Sequence, residues 1–155
     1  MIIKEVSIKN LYGYLTKTID FNDDINLIVG INGSGKTSLL NVINWLLTPS
    51  FPDLCTNEFD ELSIEFIHNK EKYKIVSTQT QNEVIIQLIN NNKEYYHIQA
   101  DLKIHPRKFS TRNIDLENLL DDYRRLSPEK HEIETWNFIF NEIPKPIIIG
   151  LDRNL

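Results

Sequence analysis

Residues 30–37 read Gly-Ile-Asn-Gly-Ser-Gly-Lys-Thr and satisfy the pattern G-x-x-x-x-G-K-[ST], the phosphate-binding loop called Walker A. The chain has only 5 glycines in 155 residues, and Gly30, Gly33 and Gly35 fall within this stretch. Glycines let successive backbone N–H groups approach phosphate oxygens without a Cβ in the way. The pattern therefore predicts a site for nucleotide phosphates.

The residue types that surround these glycines supply the chemistry of such a site. A helix that begins near Gly35 offers its first-turn N–H groups and its positive dipole end to an anion. Lys36 reaches the β- and γ-phosphates, the Thr37 hydroxyl is the predicted Mg²⁺ ligand, and Ser38 adds a phosphate contact. The predicted cofactors are ATP and Mg²⁺, since no Asn-Lys-x-Asp sequence that reads guanine is present. The full set of predicted nucleotide-binding residues is Asn32, Gly33, Ser34, Gly35, Lys36, Thr37 and Ser38.

The sequence on either side of the loop predicts a strand before it and a helix after it. Alternating apolar residues predict a strand over residues 3–11, and residues 16–21 are expected to pair back onto it as a hairpin. The apolar run 25–29 is typical of a buried, parallel central strand. Residues 36–47 carry apolar side chains at helical spacing, and Pro49 and Pro52 are expected to close that helix.

The remainder of the chain divides into a β-rich part and a helical part. Short β-branched or aromatic runs at 62–67, 72–78, 84–89 and 94–98 predict an antiparallel meander. A helical stripe then follows, formed by Leu116, Leu119, Leu120 and Tyr123. Ser127 is the predicted N-cap of a second helix, which Pro144 ends, and 147–151 is one more candidate strand. That second helix is expected to bury one stripe, formed by Ile133, Trp136, Phe140 and Ile143.

Together these elements predict an α/β fold, namely a P-loop NTPase core with an antiparallel β meander and a helical segment. One domain is expected over residues 1–155. Within it, strand, P-loop and helix occupy 1–50, the meander occupies 60–104, and the helical segment and terminal strand occupy 112–155.

Composition narrows the classes of function. With 17 basic and 22 acidic side chains, the formal charge is -5, so the totals give no support for nucleic-acid binding. A single Cys and the absence of a secretion signal predict a cytoplasmic protein. No apolar run approaches the roughly 20 residues needed to cross a bilayer, so no membrane association is expected.

Several motifs together resemble a known family. They are Ile8-Lys9-Asn10-Leu11-x-Gly13-Tyr14, then Ile19-Asp20-Phe21, then Ile25-Asn26-Leu27-Ile28-Val29 leading into the Walker A loop, in which Asn32 precedes Gly33-Ser34-Gly35. This arrangement resembles the N-terminal lobe of the ABC-type ATPase heads in SMC, RecF and OLD-like proteins. Within that group, the tail 136–154 is similar to bacterial anti-phage defence ATPases of the Septu and retron-associated type.

The resemblance implies an incomplete ABC-type ATPase head that binds ATP in DNA-related or anti-phage processes. It implies a homodimer formed through the nucleotide in the full-length protein, with an effector nuclease as a further partner. Position 12, often Arg or Lys in that family, is Tyr12 here, so a phosphate contact from this position is not carried over. Two interpretations of the aromatic loop stay open: Tyr12 or Tyr14 lies near the adenine, or both simply pack.

Hydrolysis in this class also needs a Walker B segment with a catalytic Glu and, as the resemblance implies, a signature motif. The one apolar run that ends in Asp reaches Asp152, and Arg153 stands where the base belongs. No catalytic residue is therefore assigned, and the chain is expected to bind ATP without significant hydrolysis. Either it is the N-terminal piece of a longer ATPase, which an uncovered last strand favours, or it is a half-head that only binds nucleotide.

Two other groups of residues give weaker indications of a functional site. His68, His97, His105, His131 and Cys55 are too scattered to predict a metal site. A basic cluster of His105, Arg107, Lys108 and Arg112 surrounds Phe109, either as a phosphate or nucleic-acid contact or as a solvated loop. The alternative function is a protein-interaction module with a structural P-loop, in which the 62–98 meander offers an edge strand to a partner.

Overall fold

A computed structural model describes residues 1–21 and 34–145, with the backbone alone for 34–36. Strands β1 (Ile2–Leu11) and β2 (Leu15–Asp20) form the predicted antiparallel hairpin. The other edge of β1 pairs with β3 (Glu61–His68), so the hairpin and the meander belong to one sheet. Residues 25–29 and 147–151, predicted as strands, lie outside the described residues.

The meander continues the sheet in the order β2-β1-β3-β4-β5, and every described pairing in it is antiparallel. Strands β4 (Glu71–Gln79) and β5 (Glu83–Asn90) match the predicted runs. The run 94–98 is not one strand, which corrects the sequence prediction. It divides into β6 (Lys93–Glu94) and β7 (Ile98–Asp101), and both pair with β5.

A contact with the C-terminal helical segment explains why the run 94–98 is interrupted. The Tyr96 carbonyl oxygen accepts a hydrogen bond from the Thr135 hydroxyl at 2.7 Å. The Tyr95 ring packs against Phe138, with 5.6 Å between the ring centroids. The residues between β6 and β7 are thus held by the helical segment rather than by a strand ladder.

The hydrophobic core lies between one face of the sheet and helix α1 (Ser34–Leu47), which packs against β1, β3 and β4. Alternate strand residues and one stripe of α1 fill this layer, all at most 3% exposed: Val6, Ile8, Leu62, Ile64, Phe66, Ile75, Ile86, Leu39, Val42, Ile43, Leu46 and Leu47. Period-2 strands against a period-3.6 helix are the arrangement that the sequence pattern predicts. The α/β fold class is confirmed.

A second short helix, α2 (Phe51–Thr56), follows α1, whereas the sequence predicts only the end of α1 at Pro49 and Pro52. Pro52 sits in its first turn, where a missing N–H costs nothing because that group has no intrahelical partner. Ser50 caps the helix by accepting the Asp53 N–H at 3.3 Å. Pro52 therefore begins a helix instead of closing one.

The helical part begins with α3 (Leu116–Arg124), which Asp115 caps through the Asn118 N–H. Leu119 and Tyr123 are buried as predicted, while Leu116 is 47% exposed. The predicted cap at Ser127 is wrong. Glu129 instead forms a capping box with Glu132 around a 3₁₀ turn, Lys130–Glu132, which leads into α4 (Ile133–Asn137).

The buried stripe of this last helical segment also differs from the prediction. Ile133 is 44% exposed, and Trp136 and Phe140 are only partly buried. The buried residues are Glu132, Thr135, Phe138, Ile139 and Ile143. Phe138–Glu142 is a π turn, in which the Ile143 N–H donates to the Phe138 carbonyl five residues back. Among the described residues, no helix is both long and apolar enough to cross a membrane.

Candidate nucleotide-binding site

Helix α1 begins at Ser34, inside the Walker A pattern, and continues for 14 residues to Leu47. Its buried stripe against the sheet explains why the helix forms here. No acidic residue lies in the first turn of α1. First-turn N–H groups have no partner within a helix, so they can donate hydrogen bonds to an anion such as phosphate, which the positive dipole end also attracts.

The predicted site residues fall into three groups in the structure. Asn32 and Gly33 lie outside the described residues. The backbone of 34–36 forms the start of α1, directly followed by Thr37, which is exposed, and Ser38, which is 7% exposed. An exposed Thr37 hydroxyl suits the predicted Mg²⁺ ligand, since a hydroxyl oxygen is among the hard donors that this cation prefers. The individual roles of residues 32–38 stay predictions.

The turn between β1 and β2 has an unusual backbone. Asn10, Tyr12 and Gly13 all have positive φ, at 54°, 58° and 84°. For a bulky residue such as Tyr12 this left-handed conformation is strained and needs support from its surroundings. The Tyr12 N–H donates to the Glu58 carbonyl at 2.7 Å, and the Asn10 amide donates to the Asp60 carboxylate at 2.6 Å.

The Tyr12 hydroxyl in this turn lies near the α1 residues Asn41 and Ser38. Burial raises the pKa of the Tyr12 hydroxyl, while hydrogen bonds with the Asn41 and Ser38 side chains act in the opposite direction. The Tyr14 ring, whose centroid lies 6.3 Å from that of Tyr12, is 74% exposed. Sequence reasoning left Tyr12 open between an adenine contact and packing. Tyr12 is 38% exposed, and both interpretations stay predictions.

Two residues of the predicted basic cluster, Arg107 and His105, form hydrogen bonds within the chain. The Arg107 guanidinium bonds to the Glu58 carboxylate through both Nε and Nη2, each at 2.7 Å. His105 is 6% exposed and accepts the Arg107 N–H on Nδ1 at 3.0 Å. Burial, followed by the charge of Arg107, lowers the pKa of His105. Lys108 and Arg112 are left exposed, so this loop is better described as a scaffold for Glu58 than as a basic patch.

Residues considered for metal binding or catalysis are placed as follows. Within 1–21 and 34–145, no cluster of three or more His, Cys, Asp or Glu could hold a metal ion. Cys55 is buried, and burial raises the pKa of its thiol to about 12, which keeps it in the unreactive protonated form. Glu142 lines a surface groove together with Lys93, Tyr95 and Phe138. Asp152 lies outside the described residues.

Several known proteins are similar to part of this chain. A structural maintenance of chromosomes protein 3 homolog from Plasmodium falciparum is 29% identical over 107 residues, which is 67% of this chain and 8% of that protein. The DNA double-strand break repair Rad50 ATPase of Thermococcus kodakarensis is 34% identical over 84 residues, 48% of this chain and 10% of that protein. The DNA replication and repair protein RecF of Cytophaga hutchinsonii is 46% identical over 52 residues, 33% of this chain and 14% of that protein.

Each match thus spans a small share of the relative's own length, between 8% and 14% in these three proteins. A family model described as an AAA domain matches residues 5–145, from β1 to the end of the helical segment. Because this match covers most of the sequence, together with the whole described sheet and α1, the chain belongs to the AAA domain family.

Proposed function

We propose that this chain is the ATP-binding lobe of an ABC-type ATPase similar to SMC, Rad50 and RecF proteins. The observation that carries the proposal is the start of α1 at Ser34, which puts Gly35, Lys36 and Thr37 of the Walker A pattern in the first helical turn. A helix N-terminus with no acidic side chain is suited to phosphate. The family match over residues 5–145 supports the same assignment.

In this proposal, residues 32–38 hold the phosphates by backbone N–H groups, and Lys36 neutralises charge on the β- and γ-phosphates. Thr37 and Ser38 contribute hydroxyl groups to Mg²⁺ and to a phosphate oxygen. When bound, Mg²⁺ would withdraw negative charge from the phosphates. The chain's own contribution is to bind and orient the nucleotide.

The cellular process is proposed from the relatives. Names that refer to chromosome maintenance, DNA double-strand break repair and DNA replication and repair recur among them. We infer a bacterial DNA-related or anti-phage defence process, and the resemblance of the tail 136–154 to anti-phage ATPases supports the second of these. A homodimer that encloses the nucleotide, with a nuclease as effector, completes the proposed assembly.

A binding experiment with a single variant tests the site. Lys36→Ala is expected to abolish Mg-ATP binding, measured by isothermal titration calorimetry, because the phosphates lose their fixed positive charge. Lys17→Ala is the matched control, since it removes the same charge from an exposed position on β2. Circular dichroism of both variants checks that the fold is retained.

The expected outcome is Mg-ATP binding by the wild type and by Lys17→Ala, with none detectable for Lys36→Ala. Equal affinity of Lys36→Ala and wild type would refute the assignment of the site. A preference for Mg-GTP over Mg-ATP would refute the choice of nucleotide.

An interaction module with a structural P-loop is the second candidate, and one observation favours it. Within the described residues, β2 pairs on one side only, with β1, so its other edge is open to a partner strand. The predicted open edge in the meander is smaller than expected, because β6 and β7 both lie along β5. Thermal stability separates the two candidates, since a nucleotide at 100 times its Kd stabilises the fold by about 2.7 kcal/mol. No shift of Tm at millimolar Mg-ATP would favour the module.

A further inference from the structure

A lysine from the far end of the helical segment caps the C-terminal end of α1. The Lys145 Nζ donates to the carbonyl oxygen of Leu47, the last residue of α1, at 2.8 Å and across 98 residues of sequence. The last carbonyl groups of a helix have no donor within the helix, and the last turn of α1 carries no basic side chain of its own. Lys145 therefore supplies the positive charge that stabilises this end of the helix dipole.

The same ammonium group also satisfies a carbonyl that the π turn leaves without a backbone donor. The Ile143 N–H, which would bond to Ile139 in a regular α-helix, donates to the Phe138 carbonyl at 3.2 Å. The next residue, Pro144, has no N–H to offer in its place. The Lys145 Nζ donates to the Ile139 carbonyl instead. One side chain thus joins the end of α1 to the π turn.

Aromatic rings pack beside this ammonium group. The Lys145 Nζ lies 5.8 Å from the centroid of the Phe140 ring, which is within the range of a cation–π contact. Phe140 stacks on Trp136, with 4.8 Å between the centroids, and Trp136 packs against Phe51 of α2 at 5.6 Å. With two carbonyl groups and a ring as partners, Lys145 holds α1 and the π turn in one relative position.

We propose that Lys145 is a positioning residue that couples the nucleotide site at the first turn of α1 to the C-terminal helical segment. Helix α1 is continuous over 14 residues and therefore about 21 Å long, and such a helix acts as a rigid element. Phosphate at its first turn and the ammonium group at its last carbonyl act on the same body. A nucleotide that fixes α1 thereby stabilises the contacts of Lys145 with the π turn. This inference rests on the proposed function, because the phosphate site is part of it.

Nucleotide affinity tests the coupling, because the coupling between two sites is reciprocal. If bound nucleotide stabilises the contacts of Lys145, the loss of these contacts must weaken nucleotide binding by the same factor. Lys145→Met removes the charge and the donors but keeps a long unbranched side chain, and it is expected to weaken Mg-ATP binding by about fivefold or more. Lys145→Arg keeps the charge and the donors, so it should retain most of the affinity.

The matched control is Lys103→Met, since Lys103 is an exposed lysine that pairs with Asp122 of α3 at 3.0 Å. It should bind Mg-ATP as the wild type does. Calorimetric titration of the whole chain gives the affinities, and melting temperatures without nucleotide show whether the variants are folded.

Hydrogen exchange gives a readout that a merely structural contact would not change. In the wild type, saturating Mg-ATP is expected to slow the exchange of the amides of 138–143, among them the Ile143 N–H. In Lys145→Met this response should be lost, while the nucleotide still protects the first turns of α1.

The inference is overturned by wild-type affinity in Lys145→Met, by exchange at 138–143 that does not respond to Mg-ATP in the wild type, or by an equal response in both proteins. A lower Tm of Lys145→Met with unchanged affinity would likewise reduce Lys145 to a structural contact. If Lys145→Met does not fold, Lys145→Gln, which keeps an N–H donor without the charge, carries the same expectations. Failure of the wild type to bind Mg-ATP would refute the proposed function instead.

Discussion

Among single residues, His105 is the one whose protonation is expected to affect the loop that contacts Glu58. Its Nδ1 accepts the Arg107 N–H at 3.0 Å and thereby caps the 3₁₀ helix Pro106–Thr111. Protonation of Nδ1 would remove this acceptor. Burial is the main cause that lowers the pKa of His105 from 6.5; the charges of Arg107 and Lys108 act in the same direction, and Glu58 opposes them.

We predict that the chain loses stability in mild acid because of His105. The folded-state pKa lies below the unfolded value of about 6.5, so the unfolded state binds more protons in this range. The contribution to the free energy of unfolding is therefore complete above pH 6.5 and is lost as the pH falls through the folded pKa. Urea unfolding at pH 7.5 and pH 5 measures this difference.

Two variants separate His105 from the other titrating groups. His105→Asn keeps an acceptor for the cap and cannot titrate, so it should reduce the pH dependence. His97→Asn changes an exposed histidine and should leave the pH dependence as in the wild type. A wild-type pH dependence in His105→Asn would contradict the prediction.

At the scale of elements, the junction between β7 and the start of α4 depends on one buried carboxylate. Glu132 is 3% exposed, and its two oxygens accept the N–H groups of Gln99 and Glu129, each at 2.9 Å. The Gln99 bond spans 33 residues of sequence and joins the sheet to the helical segment. A buried carboxyl group with such partners is retained because its hydrogen bonds replace its hydration.

Glu132→Ala is expected to lower the free energy of unfolding by about 2–4 kcal/mol, because the N–H groups of Gln99 and Glu129 lose their acceptor in two part-buried hydrogen bonds. Glu132→Gln should cost less, since its single carbonyl oxygen can still accept one of them. The matched control is Glu134→Ala, which removes an exposed ion pair with Lys93 and should cost no more than about 1 kcal/mol. Chemical denaturation compares the three variants, and equal losses in the two alanine variants would contradict this account.

At the scale of the whole molecule, binding and turnover require different parts. A P-loop positions phosphates and neutralises charge, but it does not orient the attacking water. Neither a Walker B Glu nor a signature motif is found in residues 1–155, and Glu142 lies in the groove beside Lys93 and Tyr95. The matched part of this chain covers 8–14% of the three relatives described above, so most of their length has no counterpart here.

We therefore expect the 155-residue chain to bind Mg-ATP and to hydrolyse it at no more than the background rate. Activity should appear only when a C-terminal lobe is joined and two heads enclose the nucleotide. Phosphate release from the purified chain in Mg-ATP is the measurement. Steady turnover that disappears in Lys36→Ala would contradict the prediction, and Asp152 and Glu142 would then be the first carboxylates to replace.

Local sequence patterns were sufficient to predict the elements whose formation depends on neighbouring residues. The hairpin, α1 and most of the meander follow from periods of 2 and 3.6 residues, because such patterns bury one face whatever the partner is. The Walker A pattern likewise gave the candidate site without any tertiary information. Among these local signals, four were misleading: the N-cap preference at Ser127, the continuous strand at 94–98, the helix end at Pro52 and the buried stripe that begins at Ile133.

Contacts between segments far apart in sequence could be seen only in the folded structure. Glu129 forms the cap in place of Ser127, where Glu132 of the same capping box also bonds to Gln99, and Phe138 and Ile139 are buried while Ile133 is exposed. The Tyr12 backbone has a left-handed conformation, and its N–H donates to the carbonyl of Glu58, 46 residues away in sequence. Hydrogen bonds between segments so far apart leave no periodic trace in the sequence, so only the folded chain shows which side chains they bring together.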